Sequence, residues 1–151
     1  MRLALYQPDI PQNAGALLRL GACLGVPIDI IEPCGFLFTD KYLRRAGMDY
    51  LDQAEWVRHE SWERFLETVN GQRLILLTAR AETSYSDFAF RADDVLIVGR
   101  ESAGVPAEIH EKVDARVKIP LKSGMRSINV AQAGSMVLGE ALRQTKGFPV
   151  S

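Results

Sequence analysis

The chain has 151 residues, of which 47% are hydrophobic and 25% charged, and its net charge is −1. This size and balance are typical of a soluble globular domain and exclude a disordered or collagen-like chain. No apolar run approaches the about 20 residues that span a bilayer, and the N-terminus turns polar too early for a signal peptide, so we expect a cytoplasmic protein without a membrane partner.

The cysteine content and the charge distribution bear on redox state, metal binding and the class of binding partner. Two cysteines, Cys23 and Cys34, do not form a disulfide framework, and no Cys/His spacing indicates zinc. We expect two reduced thiols, with Cys23 in the core. Between Lys112 and Lys146 lie seven basic and two acidic residues, so the C-terminal part carries +5 and the rest −6. This asymmetry indicates either a polyanionic partner or a solvated basic face.

Short β-branched runs alternate with helical patterns along the chain. Strands are predicted at 3–6, 28–31, 74–78, 95–98 and 115–119, and helices at 14–24, 61–69, 106–112 and 130–145. Thr39 and Asp40 could cap a further short helix over 41–45 that Gly47 ends. This alternation predicts a largely parallel α/β sheet covered by helices on both faces. No linker or repeat interrupts the pattern, so we expect one domain over residues 1–151.

Two of the predicted helices have unusual surfaces. The first carries Arg19 as its only charge, which predicts a helix covered nearly all round, with an arginine that either pairs within the chain or faces an anion. In the last helix, Gly134 and Gly139 each cost about 1 kcal/mol relative to alanine. With neighbouring small residues they form a surface for close packing, either within the chain or between subunits.

Three predicted strands end in residues suited to a ligand. In open α/β sheets, ligands bind beyond the carboxyl ends of the strands. The strand at 95–98 runs into Gly99 and Glu101, without the Gly-Lys-Ser/Thr of a phosphate loop. A glycine-lined strand end beside a carboxylate suits a flat heterocycle with positive charge better than a phosphate tail. The ends after 77 and 119 are similarly small or apolar.

Three ordered segments resemble the motifs of the SPOUT methyltransferases. They are NAGALLR at 13–19, VGRESAGVP at 98–106, and IP at 119–120 followed by RSINVA at 126–131. LYQPDIPQN at 5–13, IEPCGF at 31–36 and LRRAGMDY at 43–50 are similar to the TrmL-type branch, which 2′-O-methylates the wobble ribose of certain tRNAs. The resemblance covers essentially the whole chain.

The resemblance implies a fold, a cofactor and a site. It implies a parallel α/β sheet flanked by helices with a C-terminal trefoil knot (SPOUT, α/β knot) at about 74–145, and a homodimer that binds S-adenosylmethionine and releases S-adenosylhomocysteine, with no metal. The family's cofactor contacts map onto Leu77, Gly99, Ile119, Leu121, Ser127 and Asn129. Glu101 is expected to accept N–H bonds that fasten the knot loops.

The implied reaction is attack of the ribose 2′-hydroxyl of nucleotide 34, a cytidine or modified uridine, on the S-methyl group. Leucine tRNAs are the expected substrates, bound through the anticodon loop. Arg19 matches the family's catalytic arginine, and because an arginine is a poor general base we expect it to hold the adjacent phosphate and stabilise the alkoxide. The proton acceptor stays open between the substrate phosphate, a water molecule and Arg19.

Contacts to tRNA phosphates are expected from six basic residues: Lys41, Arg44, Arg45, Lys122, Arg126 and Arg143. Trp56 and Trp62 are expected to pack hydrophobically, and His59 and His110 receive no role.

Two alternative functions remain: a methyltransferase for another tRNA or rRNA position, and a non-catalytic nucleotide- or RNA-binding α/β module. A dinucleotide oxidoreductase is the least favoured reading, because no Gly-x-Gly-x-x-Gly follows the first strand.

Overall fold

The structure is a computed structural model that describes residues 1–37, 39, 41, 44 and 51–150. A seven-stranded, fully parallel sheet occupies its centre, with strands in the order β3-β2-β1-β6-β4-β7-β5. The strands are β1 (Arg2–Tyr6), β2 (Ile28–Ile31), β3 (Trp56–His59), β4 (Leu74–Leu77), β5 (Thr83–Ser84), β6 (Val95–Val98) and β7 (Ala115–Lys118).

Helices cover both faces of the sheet, as the sequence predicts. They are α1 (Pro11–Leu24), α2 (Trp62–Thr68), α3 (Ala107–Lys112) and α4 (Val130–Thr145). Along β1, Leu3 and Leu5 join one buried cluster with side chains of α1 and α4, whereas Ala4 and Tyr6 join a second cluster with side chains of α2 and α3. Alternate residues of the central strands therefore fill two cores, which explains their continuous apolar runs.

Two strands and one helix boundary differ from the prediction. The sequence reading missed β3 and β5 because β3 is an edge strand with exposed Val57 and Arg58, and β5 has only two residues. Helix α1 begins at Pro11 rather than residue 14, since proline's fixed φ and missing N–H suit the first helical turn. The predicted short helix at 41–45 lies mostly outside the described residues, as do Asp40, Arg45 and Gly47.

Helix α1 is not covered all round within this chain, contrary to expectation. Gln12, Ala16, Arg19 and Cys23 are exposed, so Cys23 is not a core residue. The opposite side packs in the core and contacts α4, where the Cβ of an alanine at Gly134 would lie 3.0 Å from Leu17 Cδ2. Gly134 therefore serves close packing within the chain, whereas an added Cβ at Gly139 would meet nothing within 4 Å.

The two tryptophans pack as predicted. Trp62 lies against Tyr6 and Phe65, with ring centroids 6.1 and 5.3 Å apart. Trp56 packs against the first core and donates its Nε1–H to the carbonyl of Leu51 at 3.1 Å. No helix in the described ranges has the length and apolar character needed to cross a membrane.

Candidate active site

Three strand ends meet at the centre of the sheet, where β6, β4 and β7 are neighbours. Leu77, the last residue of β4, is in register with Val98 of β6 and with Val117 of β7. Gly99 follows Val98 directly, and Ile119 lies two residues beyond Val117. The carboxyl ends of the three strands therefore lie side by side.

An open cavity of about 800 Å³ lies at these strand ends, within the size range of small-molecule sites. The structure brings six of the seven predicted site residues to its wall: Leu77, Gly99, Ile119, Leu121, Ser127 and Asn129. Apolar side chains such as Val98, Val117 and Val137 also line it, and the exposed loop 120–129 forms its rim. The cavity combines apolar walls with the free backbone groups of the strand ends.

One wall of the cavity depends on two glycines that approach each other closely. A Cβ at Gly99 would lie 2.7 Å from the carbonyl carbon of Gly104 and 2.8 Å from its Cα. Gly104 has φ of +64°, and its N–H and C=O exchange hydrogen bonds of 2.8 and 3.0 Å with the backbone of Arg100. The turn after β6 is therefore closed backbone to backbone, which only glycines permit here.

A chain of polar side chains connects three loops along the cavity. Asn129 caps α4 by accepting from the N–H groups of Ala131 and Gln132, and its Nδ2 donates to Asn13 Oδ1 at 2.9 Å. Asn13 Nδ2 in turn donates to Glu101 Oε1 at 3.3 Å. Sequence reasoning assigned Asn129 to the cofactor and gave Asn13 no separate role, although Asn13 opens the first motif. In the structure the pair joins the start of α4 to the start of α1.

Glu101 fastens loops, but not those expected. It accepts N–H bonds from Asp9 at 3.1 Å and from Asn13, both in the segment around the start of α1. Burial, and then its hydrogen bond to Asp9, raises the pKa of the Glu101 carboxyl, whereas the same bond lowers the pKa of Asp9. The pKa values of the two carboxyl groups are therefore shifted in opposite directions.

Arg19 does not line the cavity. It lies on the exposed strip of α1, six residues after Asn13, and a helix rises about 9 Å over six residues. The other predicted residues are brought together by the strand ends, but Arg19 is directed elsewhere by the helix on which it lies.

Two arginines that sequence reasoning left without a role do line the cavity. Arg80 follows the end of β4 by three residues, and Arg100 follows Gly99. The guanidinium of Arg100 lies over the Tyr6 ring at 5.8 Å, and its buried Nε has no hydrogen-bond partner among the described residues. Their positions just beyond strand ends were the available sequence signal.

The predicted tRNA-contacting residues fall into three groups. Lys122 and Arg126 are exposed on the rim loop of the cavity. Arg44 pairs with Asp52 at 3.3 Å, and Arg143 pairs with Glu140 at 2.8 Å, so each of these charges already has a partner. Lys41 is exposed, whereas Arg45 lies outside the described residues.

No cluster of His, Cys, Asp and Glu able to hold a metal ion occurs in the described part of the chain.

Comparisons with known proteins agree on one family. Residues 1–139 match the SpoU rRNA Methylase family. A protein of Beijerinckia indica named tRNA (cytidine(34)-2'-O)-methyltransferase is 61% identical over 146 residues, covering 94% of this chain and 90% of its own.

Solved structures are similar over nearly the whole chain. One, from work on the 2-OH methylation of C/U34 on tRNA, has a TM-score of 0.88 and 42% identity, covering 95% of this chain and 94% of its own. An AdoMet-bound rRNA methyltransferase from Sinorhizobium meliloti has a TM-score of 0.82 and 25% identity, covering 94% of this chain and 55% of its own.

Proposed function

The chain belongs to the SpoU rRNA methylase family, and from this premise we propose that it transfers a methyl group from S-adenosylmethionine to the ribose 2′-hydroxyl of nucleotide 34 in tRNA. The observation that carries the proposal is the cavity at the ends of β4, β6 and β7, where the six residues that the family resemblance assigns to the cofactor converge. The names of its relatives, which specify nucleotide 34 of tRNA, support the assignment of the substrate.

The cavity fits S-adenosylmethionine. Its volume of about 800 Å³ suits a nucleoside with an amino-acid tail, and its apolar walls suit an adenine ring. The close packing of Gly99 on Gly104 keeps side chains out of the wall at the end of β6. Six residues are proposed to hold the cofactor, largely through backbone atoms: Leu77, Gly99, Ile119, Leu121, Ser127 and Asn129. The bound cofactor would supply an electrophilic methyl group on a sulfonium.

The protein's own contribution is alignment and electrostatics. The rim loop 120–129 and the start of α1 would bring the ribose to the cavity, with Lys122 and Arg126 contacting phosphates. Arg19 is proposed to hold the phosphate next to the reacting ribose and to stabilise the alkoxide as the 2′-hydroxyl loses its proton. We propose the substrate phosphate or a water molecule as the acceptor of that proton ahead of Arg19, because an arginine is a poor general base.

A homodimer would reconcile Arg19 with the cavity. Arg19 and the exposed residues Gln12, Ala16 and Cys23 form a strip on α1 that this chain leaves uncovered. If a second copy packs on this strip, Arg19 of one subunit can reach the cavity of the other. Such a dimer would also cover the first helix, which is exposed on this strip in the single chain.

Further parts of the proposal rest on the family resemblance. They are a single domain over residues 1–151, a trefoil knot at about 74–145, recognition of the anticodon loop, and leucine tRNAs as substrates. We also propose the cytoplasm as the compartment, because tRNA is the proposed substrate.

Incubation with labelled S-adenosylmethionine and total tRNA, followed by nucleoside analysis and mapping by mass spectrometry, tests the function. We expect one 2′-O-methylated nucleoside at position 34. Label in another tRNA position, or in ribosomal RNA alone, would replace the substrate assignment. Cofactor binding without methyl transfer to any RNA would favour a non-catalytic binding module.

A further inference from the structure

A second cavity, of about 480 Å³, lies at the β7–β5 edge of the sheet beside α3. Its lining contains three basic side chains, those of Arg80, His110 and Arg116, and one carboxylate, that of Glu82. Arg80 also lines the first cavity, so the two cavities share one wall residue.

The arginines of this second cavity differ from most others in the protein. Six arginines elsewhere form ion pairs with carboxylates: Arg2, Arg44, Arg58, Arg64, Arg73 and Arg143. Within the described ranges, neither Arg80 nor Arg116 has a carboxylate partner. Arg116 donates from one guanidinium nitrogen to the backbone carbonyl of His110, which leaves its other N–H groups available. With Glu82 as the one carboxylate in the lining, the two arginines give the cavity an excess of positive charge among the described residues.

One ring nitrogen of His110 also lacks a partner. Its Nε2 is buried and has no hydrogen-bond partner in the described part of the chain. Burial, followed by the charges of Arg80 and Arg116, lowers the pKa of His110, while Glu111 opposes this weakly. Unpaired cations that share a cavity repel each other, and a buried nitrogen without a partner costs free energy. A bound anion would relieve both costs.

We propose that the cavity formed by Arg80, His110 and Arg116 binds a backbone phosphate of the RNA substrate, next to the cavity that holds the methyl donor. This inference rests on the proposed function and extends it by a second RNA contact. Arginine's planar fork suits a phosphate, and each phosphate contact adds affinity without reading sequence. An RNA whose reacting ribose lies at the first cavity can follow Arg80 to the second.

The site was hidden in the sequence because its parts come from three elements. Arg80 follows β4, His110 lies on α3, and Arg116 lies on β7. It is also distinct from the predicted tRNA-contacting residues, none of which lines this cavity.

The test measures tRNA binding and methylation with two variants, Arg116→Ala and Arg80→Ala. Arg64→Ala is the matched control, because it removes the same charge from an exposed side chain on α2, which packs at the β3–β2 edge of the sheet. We expect each test variant to bind an unmodified tRNA transcript about tenfold more weakly, with a salt slope lower by about 0.9 per lost phosphate contact. For Arg116→Ala we also expect a higher KM for tRNA, whereas its affinity for S-adenosylmethionine, measured by calorimetry, stays unchanged.

Several results would overturn the site. Equal tRNA affinity and salt slope for Arg116→Ala, Arg80→Ala and Arg64→Ala would refute it. Thermal unfolding of each variant is measured in parallel, because Arg116 also contacts α3 and its loss could unfold the protein. If Arg116→Ala does not fold, Arg80→Ala alone tests the site, because it replaces an exposed side chain. Competition by inorganic phosphate with no loss of tRNA affinity in the variants would assign the cavity to a small anion instead.

The binding assay does not require catalysis, so the two proposals fail separately. Wild-type protein that binds tRNA without methylating nucleotide 34 would refute the proposed function, while the variants would still decide the phosphate site.

Discussion

Replacing Gly99 by alanine tests whether the backbone contact after β6 shapes the cavity. The new Cβ would lie 2.7 Å from the carbonyl carbon of Gly104, and ordinary contact begins at 3.4 Å. The two segments must therefore separate by about 0.7 Å. No side chain can move aside, because the obstructing atoms belong to the backbone.

The magnitude follows from what this separation disrupts. Overpacking costs about 1–3 kcal/mol. The two hydrogen bonds between Arg100 and Gly104, of 2.8 and 3.0 Å, lengthen and each contribute about 1 kcal/mol. We expect a loss of about 2–4 kcal/mol in the free energy of unfolding, which lowers Tm by about 5–15 °C for a chain of this size.

The assay combines thermal unfolding with titration of S-adenosylmethionine. Gly139→Ala is the control, because its Cβ would meet nothing within 4 Å and alanine is favoured over glycine inside a helix by about 1 kcal/mol. It should raise Tm by about 2–4 °C. If Gly99→Ala unfolds within about 2 °C of the wild type and binds the cofactor equally well, the close contact does not shape the site.

Three further changes test other parts of the molecule. Arg19→Ala should leave cofactor affinity nearly intact and slow single-turnover methyl transfer by about 10²-fold or more; full activity would end its assigned role. Asp29 is fully buried and hydrogen-bonded to Arg2 at 2.7 and 2.8 Å and to His59 at 2.8 Å. Asp29→Ala should lower the free energy of unfolding measured in urea by about 3–5 kcal/mol, because both partners lose the carboxylate that they contact. A loss below about 1 kcal/mol would contradict this. Arg143 and then Gln144 lower the pKa of Glu140 to about 2, so this group stabilises the fold above its ordinary pKa of 4.5 and the contribution is lost as the pH falls toward 2. The Tm of Glu140→Gln should therefore be lower than wild type at neutral pH and converge with it in acid, and a difference independent of pH would refute the assignment.

Local patterns were sufficient for most of the secondary structure. The runs of β1, β2, β4 and β6 are mostly apolar because both faces of these central strands are buried, so their composition alone marks them. β7 was predicted although Arg116 and Lys118 alternate with its apolar residues. Edge strands lack this signature. β3 exposes Val57 and Arg58 to solvent, and β5 is only two residues long, so neither could be recognised from its own sequence.

The site divides in the same way. Gly99, Ile119 and Ser127 could be named from ordered motifs, and Leu77 from the end of a predicted strand. The parallel topology explains why the strand-end residues share a cavity, since parallel strands end at one edge. The hydrogen bond from the backbone N–H of Asp9 to Glu101 and the link from Asn129 to Asn13 could not be foreseen, because each joins residues far apart in the chain. The exposure of Arg19 also depends on which side of α1 faces the core.

By itself the sequence determined five of the seven strands and the four helices in chain order, the motifs and the resemblance to the family, because these depend on local periodicity and on residue types at short spacing. Only the tertiary structure decided which charges are neutralised. Arg2 pairs with Asp29, 27 residues away along the chain, and Arg73 pairs with Asp94, 21 residues away. Arg80 and Arg116 meet around a second cavity, and neither has an ion pair with a carboxylate among the described residues. The physical reason is that Coulomb interactions depend on distance in space, and residues separated by tens of positions become neighbours only when the sheet forms.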